Sequence, residues 1–352
     1  MDLKKDRQKI DRLDGQIVAL LSRRAKVSLA IGKQKLKHKK GIFAPDREKA
    51  ILKRIRQLNP GPLSPEALEA VYREILSGSR SLEKELRISY LGPQATFTHL
   101  AAQKKFGSQV EYVSCINISE VFQKVESDHC DYGVVPIENS IEGAVTHTFD
   151  LLVDSELKIC SQLLLEISHN LLSRTTLSKI KRVYSNPHVF GQCRHWLNTH
   201  LRQAELIDVA STTRAAQIAA TEKDAACIAS SMAAQVYRLR NVARDIEDVS
   251  HNITRFLVIA KSDVPPTGHD RTSIVFSIKD KVGALHAMLA PFAQNKINLT
   301  KIESRPSKRK AWDYYFFVDF EGHREQKQVK KALSRLEDMC KYLKILGSYP
   351  IA

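Results

Sequence analysis

No run of about 18 apolar residues occurs in the 352-residue chain, so nothing in it reads as a membrane span. The opening residues, Met1-Asp2-Leu3-Lys4-Lys5-Asp6, are charged and lead into no apolar signal core, which points to the cytoplasm. The six cysteines (115, 130, 160, 193, 227 and 340) include no Cys-x-x-Cys pair. They read as reduced thiols, not as a zinc site or a disulfide framework. Neither Gly-x-Gly-x-x-Gly nor Gly-x4-Gly-Lys-Ser/Thr appears, which argues against dinucleotide and nucleotide binding. No metal and no cofactor is expected.

Acidic residues are also in short supply: 39 against 55 basic ones, a net charge of +16. Such an excess raises nucleic acid as a partner. The excess is local, however. Residues 1–60 carry 18 Lys and Arg against 6 Asp and Glu, whereas residues 61–300 carry 25 against 26. The basic helix within that segment has no interleaved aromatics and matches no common nucleic-acid motif, so no nucleic-acid partner is expected.

Residues 3–38 hold no proline and place Ile10, Leu13, Ile17, Leu20, Leu21, Val27 and Ile31 at helical spacing. One helix about 50 Å long follows at 1.5 Å per residue. A break is expected at Lys39-Lys40-Gly41. Pro45-Asp46 starts a second helix ending near Leu58, and Ser64-Pro65-Glu66 caps and starts a third running to about Glu85. Three helices in 85 residues cannot cover such a stripe, which predicts an interwoven dimer. At 100° per residue, Arg24 and Lys35 fall within about 20° of Ile17, inside the stripe, where an unpaired cation is costly. They either snorkel to the surface or face an anion.

From Leu86 onward, short β-rich runs alternate with helical patterns, as in an α/β fold with a largely parallel sheet, possibly in two lobes. Polar strand-to-helix junctions occur at Gly92–His99, Pro136–Ser140, Ser185–His188 and Ser211–Thr213. Their hydroxyls suit either carboxylate binding or plain helix capping. The tail reads strand–helix–strand–strand–helix–strand, the ferredoxin-like order.

The ordered motifs carry resemblances. Residues 4–84 resemble the all-helical chorismate mutase domain through Arg7-x-x-Ile10-x-x-Leu13-Asp14, Leu20–Arg24, Gly32-x-x-Lys35, Asp46-Arg47-Glu48 and Arg73–Ser77. The resemblance implies an intertwined dimer. In it Arg24, Lys35 and Arg47, with Arg7 from a second copy, clamp the carboxylates of chorismate, Glu48 holds a hydroxyl, and Ser79 and Glu83 line the site. Ala44 departs from members with Asp. Glu83 departs from members whose Gln donates to the ether oxygen, so it must be protonated to act, and mutase activity should then fall as pH rises.

Residues 87–260 resemble the prephenate dehydratase catalytic domain through Gly92-Pro93-x-x-Thr96-Phe97, Val135–Ser140, Tyr184-Ser185-x-Pro187, Gln192-Cys193, Ser211-Thr212 and Asn252-x-Thr254-Arg255-Phe256. By that resemblance Thr254 assists departure of hydroxide and Arg255 organises the loop or a substrate carboxylate. Glu138, Asn139, Ser185 and Gln192 line the site. Thr96, Ser140, Ser211, Thr212, Thr213 and Phe256 contact substrate. Ala95 replaces the usual glycine and would be strained at positive φ.

Residues 271–349 resemble an ACT domain, which implies phenylalanine bound by Gly283-Ala284-Leu285-His286, Asn298, Leu299 and Glu303-Ser304-Arg305-Pro306. The expected organisation is a helical mutase domain over 1–85, a two-lobed α/β dehydratase domain over 86–264 and an α+β βαββαβ ACT domain over 270–352. The implied partners are chorismate, prephenate, inhibitory phenylalanine and a second copy of the chain. Deleting residues 270–352 should leave both reactions intact. An arogenate dehydratase and a non-catalytic ACT-linked sensor remain the alternatives.

Overall fold

The computed structural model describes residues 3–37, 43–278, 282–307 and 313–351. The expected break at Lys39–Gly41 lies outside them. The chain divides into two compact units, Met1–Arg87 with Phe106–Glu111, and the remainder.

The first unit holds α1 (Leu3–Lys37), α2 (Pro45–Leu58) and α3 (Pro65–Glu83). Ser64 caps α3, its hydroxyl accepting from Ala67 N–H at 3.1 Å. Pro45 and Pro65 occupy first-turn positions, where no N–H is needed. Ala44, at the N-cap of α2, supplies no side-chain bond. Ala44→Asp should therefore add about 1 kcal/mol of stability, read by chemical denaturation. α1 and α3 approach closely at Gly32, where a β-carbon would lie 2.6 Å from Glu83 Cγ.

The second unit continues with β1 (Arg87–Leu91), α4 (Phe97–Phe106), β2 (Glu111–Cys115), α5 (Ile118–Glu126), β3 (Tyr132–Asn139), β4 (Gly143–Ala144), α6 (Thr146–Asp154) and β5 (Lys158–Glu166). There follow β6 (Asn170–Ser173), β7 (Arg182–Ser185), α7 (Pro187–Gln192), α8 (Arg194–His200), β8 (Glu205–Asp208), α9 (Thr212–Ala219), β9 (Ala225–Ala229), α10 (Ser231–Val236), β10 (Arg240–Ala243) and β11 (Ile253–Ala260). The tail adds β12 (Asp270–Ser277), α11 (Ala284–Gln294), β13 (Leu299–Pro306), β14 (Tyr314–Glu321), α12 (Lys327–Met339) and β15 (Tyr342–Pro350).

Two lobes form as expected, but neither sheet is largely parallel. The first runs β2-β1-β3-β11-β5 and the second β10-β6-β9-β7-β8. β11 is antiparallel to both β3 and β5, and β6 is antiparallel to β9 and β10. The cause is the crossing between lobes. β5 passes into β6 with no intervening helix, and β11 returns from β10 in the same way, so no βαβ crossover sets these strands parallel. The tail forms the expected βαββαβ layer, sheet order β13-β14-β12-β15.

This tail sheet shares a core with the first lobe. Ile159 and Leu257 cluster with Val275, Phe317, Leu346 and Tyr349, all under 10% exposed. At Gly347 the two segments touch backbone to backbone: a β-carbon there would sit 2.2 Å from Ile159 O. No side-chain rotation relieves such a clash, so Gly347→Ala should lower the thermal midpoint by several degrees, at a cost of about 1–3 kcal/mol. Among the described residues no helix is long and apolar enough to cross a membrane.

Candidate active sites

In the first unit, the cations flagged inside the α1 stripe meet α3. Arg24 Nη1 donates to the Ser79 hydroxyl, which donates onward to Ile75 O at 2.7 Å. Lys35 Nζ donates to Glu83 Oε2 at 3.2 Å. Ser79 and Glu83 lie one turn apart on α3, whereas Arg24 and Lys35 lie about three turns apart on α1, so α3 meets both stripe cations with polar side chains. Glu48 pairs with Arg80, whose Nη2 donates to Phe106 O at 2.5 Å and whose guanidinium covers the Phe43 ring at 5.6 Å. Sequence reasoning missed Arg80, a buried arginine on the inner face of α3. Arg47 is exposed at the start of α2. Arg7 is exposed on α1, 17 residues before Arg24, hence about 25 Å away along the helix axis.

In the second unit, Asn139 ends β3 and Thr254 lies opposite it on β11. Asn139 Nδ2 donates to Thr254 Oγ1 at 2.8 Å and to Asn252 Oδ1 at 2.6 Å. Asn252 Nδ2 donates to Gln192 Oε1 at 3.1 Å, which also bonds His169 Nε2 at 2.7 Å. Gln192 Nε2 donates to Glu142 Oε1 at 3.0 Å. The two lobes are thus joined by one polar chain, Thr254–Asn139–Asn252–Gln192–His169. It borders an open cavity lined by Glu142, His188, Gln192, Glu247, Asp248 and Asn252. Burial holds the His169 pKa below its usual value, more than the Gln192 bond and nearby Glu247 raise it, so the ring is neutral. Asn252 entered the sequence reading only as the first residue of the Asn252-x-Thr254-Arg255-Phe256 motif, with no role of its own, and Glu142 was not singled out, since isolated polar residues carry no periodic signal.

Four expected site residues point elsewhere. Successive strand side chains face opposite ways, so Arg255 leaves β11 on the side away from Thr254. Its Nε donates to Gln162 at 2.9 Å, Nη1 to Asp319 at 2.6 Å and Nη2 to the Tyr349 hydroxyl at 2.8 Å. Arg255 is 5% exposed and its guanidinium ties β11 to β14 and β15. Glu138, its neighbour across the strands, pairs with Lys301 of β13 and lies 3.6 Å from Arg255. Phe256 is 2% exposed and packs in the interior. Ser185 is fully buried, its hydroxyl donating to Ile228 O at 3.0 Å.

Several hydroxyls are spent locally. Thr96 accepts from His99 N–H at 3.2 Å and so caps α4, and Ser211 caps α9 by accepting from Arg214 N–H at 3.1 Å. Ser140 ties its loop to β11 through Ile253 N–H at 2.9 Å. Thr212 opens α9, and the Thr213 hydroxyl is buried without a partner among the described residues. Ala95 adopts φ +73°, the strained conformation anticipated for a glycine position.

In the tail, Gly283 (φ +75°) starts α11, with Ala284 buried and Leu285 and His286 exposed. On β13, Ser304 and Pro306 face out, Leu299 and Glu303 are half-buried, and Asn298 donates to Glu321 at 3.2 Å. Arg305 turns to Asp150 of α6 at 3.5 Å, so it is occupied by the first lobe. Truncation of residues 270–352 would therefore strip partners from Arg255, Glu138 and Asp150 and expose the shared core. A loss of stability in the dehydratase is therefore expected from that truncation.

Three family models match in order: chorismate mutase type II over residues 6–84, prephenate dehydratase over 88–264 and the ACT domain over 272–338. A bifunctional chorismate mutase/prephenate dehydratase of Aquifex aeolicus is 48% identical, covering 100% of this chain and 98% of that one. One of Pseudomonas aeruginosa is 42% identical, covering 99% and 98%. The crystal structure of prephenate dehydratase from Arthrobacter aurescens in complex with L-Phe superposes with a TM-score of 0.71 at 33% identity, covering 76% of this chain and 90% of that one. With all three domains matched in order and the whole chain covered, the chain belongs to the family of bifunctional chorismate mutase/prephenate dehydratases of phenylalanine biosynthesis.

Proposed function

We propose the following division of labour, organised over residues 1–85, 86–264 and 270–352, in the cytoplasm. In the mutase site, Arg24, Lys35 and Arg47 bind the two carboxylates of chorismate, Glu48 takes its hydroxyl, and Ser79 orients Arg24. The Claisen rearrangement needs no nucleophile or metal. It needs a compressed conformer and positive charge where the ether oxygen becomes electron-rich, which Lys35 supplies, with Glu83 donating there only in its protonated form.

The site is completed by Arg7 of the partner subunit. The observation behind this is the length of α1: Arg7 and Arg24 are too far apart to share one ligand within a chain. The same helix leaves Ile10, Leu13, Ile17, Leu20 and Val27 more than half exposed, an apolar face that a second copy would cover.

In the dehydratase site, prephenate loses its ring carboxylate as carbon dioxide and its ring hydroxyl as water, driven by aromatisation. The C–C bond supplies the electron pair, and the departing hydroxyl takes a proton. Thr254 is the donor nearest that event, held by Asn139. Thr213 and the amides opening α9 suit the remaining carboxylate. The carrying observation is the Asn139–Thr254 bond at 2.8 Å, which uses an acceptor lone pair on the hydroxyl.

L-phenylalanine, bound at Gly283–His286 with Asn298, Leu299 and Glu303–Pro306, inhibits the dehydratase; the complex of the Arthrobacter dehydratase with L-Phe supports this. Purified protein given chorismate should produce phenylpyruvate, less so with phenylalanine added, and should turn over prephenate faster than arogenate. No phenylpyruvate from either acid would refute the assignment.

A further inference from the structure

We propose that His169 and Asn252 are positioning residues for the dehydration, links in a hydrogen-bonded chain whose fixed polarity keeps the Thr254 hydroxyl hydrogen free for the substrate. The inference rests on Thr254 being the donor and adds what makes it one.

The polarity is set independently at two points. Asn139 Oδ1 accepts the backbone N–H groups of Ile141 at 2.9 Å and Glu142 at 3.0 Å. Its NH2 group must therefore face Asn252 and Thr254. Gln192 gives its NH2 group to the Glu142 carboxylate, which only accepts, so its carbonyl must face His169 and Asn252. Asn252 fits between these anchors one way round, oxygen toward Asn139 and nitrogen toward Gln192.

Consequences follow at both ends. A hydroxyl has one hydrogen. Since Thr254 Oγ1 accepts from Asn139, that hydrogen cannot lie on the Asn139 bond. At the other end, Gln192 Oε1 accepts, so His169 must carry its proton on Nε2. Its Nδ1 is then a bare acceptor, buried and without a partner among the described residues. Packing alone does not account for a ring with an orphaned acceptor at 2% exposure. Donation to Gln192 does. The Gln192 oxygen uses both lone pairs, one on His169 and one on Asn252. Without His169 the amide can tilt toward the vacated side, and the shift passes through Asn252 to Asn139.

The test is the rate of phenylpyruvate formation from prephenate by full-length variants, with mutase rate and thermal midpoint measured on the same samples. His169→Leu should lower kcat about tenfold and move KM less than about threefold, the signature of misorientation. His169→Gln, which keeps a side-chain N–H toward Gln192, should recover most of that loss. In a Thr254→Val background, itself down by about 100-fold, His169→Leu should cost nothing more, because nothing is left to orient. A wild-type kcat for His169→Leu, or an equal further loss in the Thr254→Val background, would overturn the proposal. Wild-type kcat for Thr254→Val alone would instead overturn the donor assignment beneath it. Should His169→Leu not fold, Asn252→Asp keeps the acceptor toward Asn139, removes the donor toward Gln192, and carries the same expectations.

Discussion

Arg255→Ala should lower the thermal midpoint by about 10 °C, the largest stability effect expected from a single substitution in this chain. The guanidinium is buried against Asp319, Tyr349 and Gln162. Removing it leaves the Asp319 carboxylate, 8% exposed, without its cation, a loss of about 3–5 kcal/mol. At about 2–4 °C per kcal/mol for a unit of this size, the shift follows. Asp319→Ala should do comparable damage from the other side. The double change Arg255→Met with Asp319→Leu should recover much of the stability, since it leaves no lone charge. Calorimetry of the three variants decides the matter. An Arg255→Ala protein that melts like the wild type yet has lost dehydratase activity would mean that the guanidinium serves the substrate instead.

Arg24→Ala and Lys35→Ala should each reduce mutase kcat/KM by about 10²–10³-fold, with dehydratase activity on prephenate unchanged. Both cations lie where apolar residues would otherwise continue the α1 stripe, and each meets a polar side chain of α3. Lys35→Arg should rescue poorly, since a planar fork does not replace a compact ammonium beside Glu83. Steady-state assays with chorismate and, separately, with prephenate read both arms. Parallel loss of the two activities would point to unfolding and not to loss of a substrate contact.

The helical unit was the most legible part of the chain. Pro45 and Ser64-Pro65 mark the starts of α2 and α3 within a residue or two, because caps and prolines act locally. Arg24 and Lys35 stood out because a cation in an apolar stripe is costly. β5 and β6 escaped notice for the opposite reason. Lys-Ile-Cys-Ser-Gln-Leu-Leu-Leu-Glu is buried on both faces and has no period to read. The motif Thr254-Arg255-Phe256 was read as one site because the resemblance carries it over as one block. In a strand, adjacency separates side chains, and the period of two sends Thr254 to the cleft and Arg255 to the tail layer. The linkage of Asn139, Gln192 and Thr254 into one chain could not be read from the sequence, because its bonded members lie up to 115 residues apart, Asn139 to Thr254.

The shared core carries one more consequence, in the language of local opening. The tail layer has no apolar face of its own to close over Val275, Phe317, Leu346 and Tyr349, since the first lobe closes it. It therefore cannot unfold as an independent segment while the lobe stays native. Amides at the centre of β15 and β5 belong to one cooperative block, protected by the free energy of the whole unit and not by that of a detachable module. Effector domain and dehydratase have a common stability, so a substitution that loosens either one is felt by both.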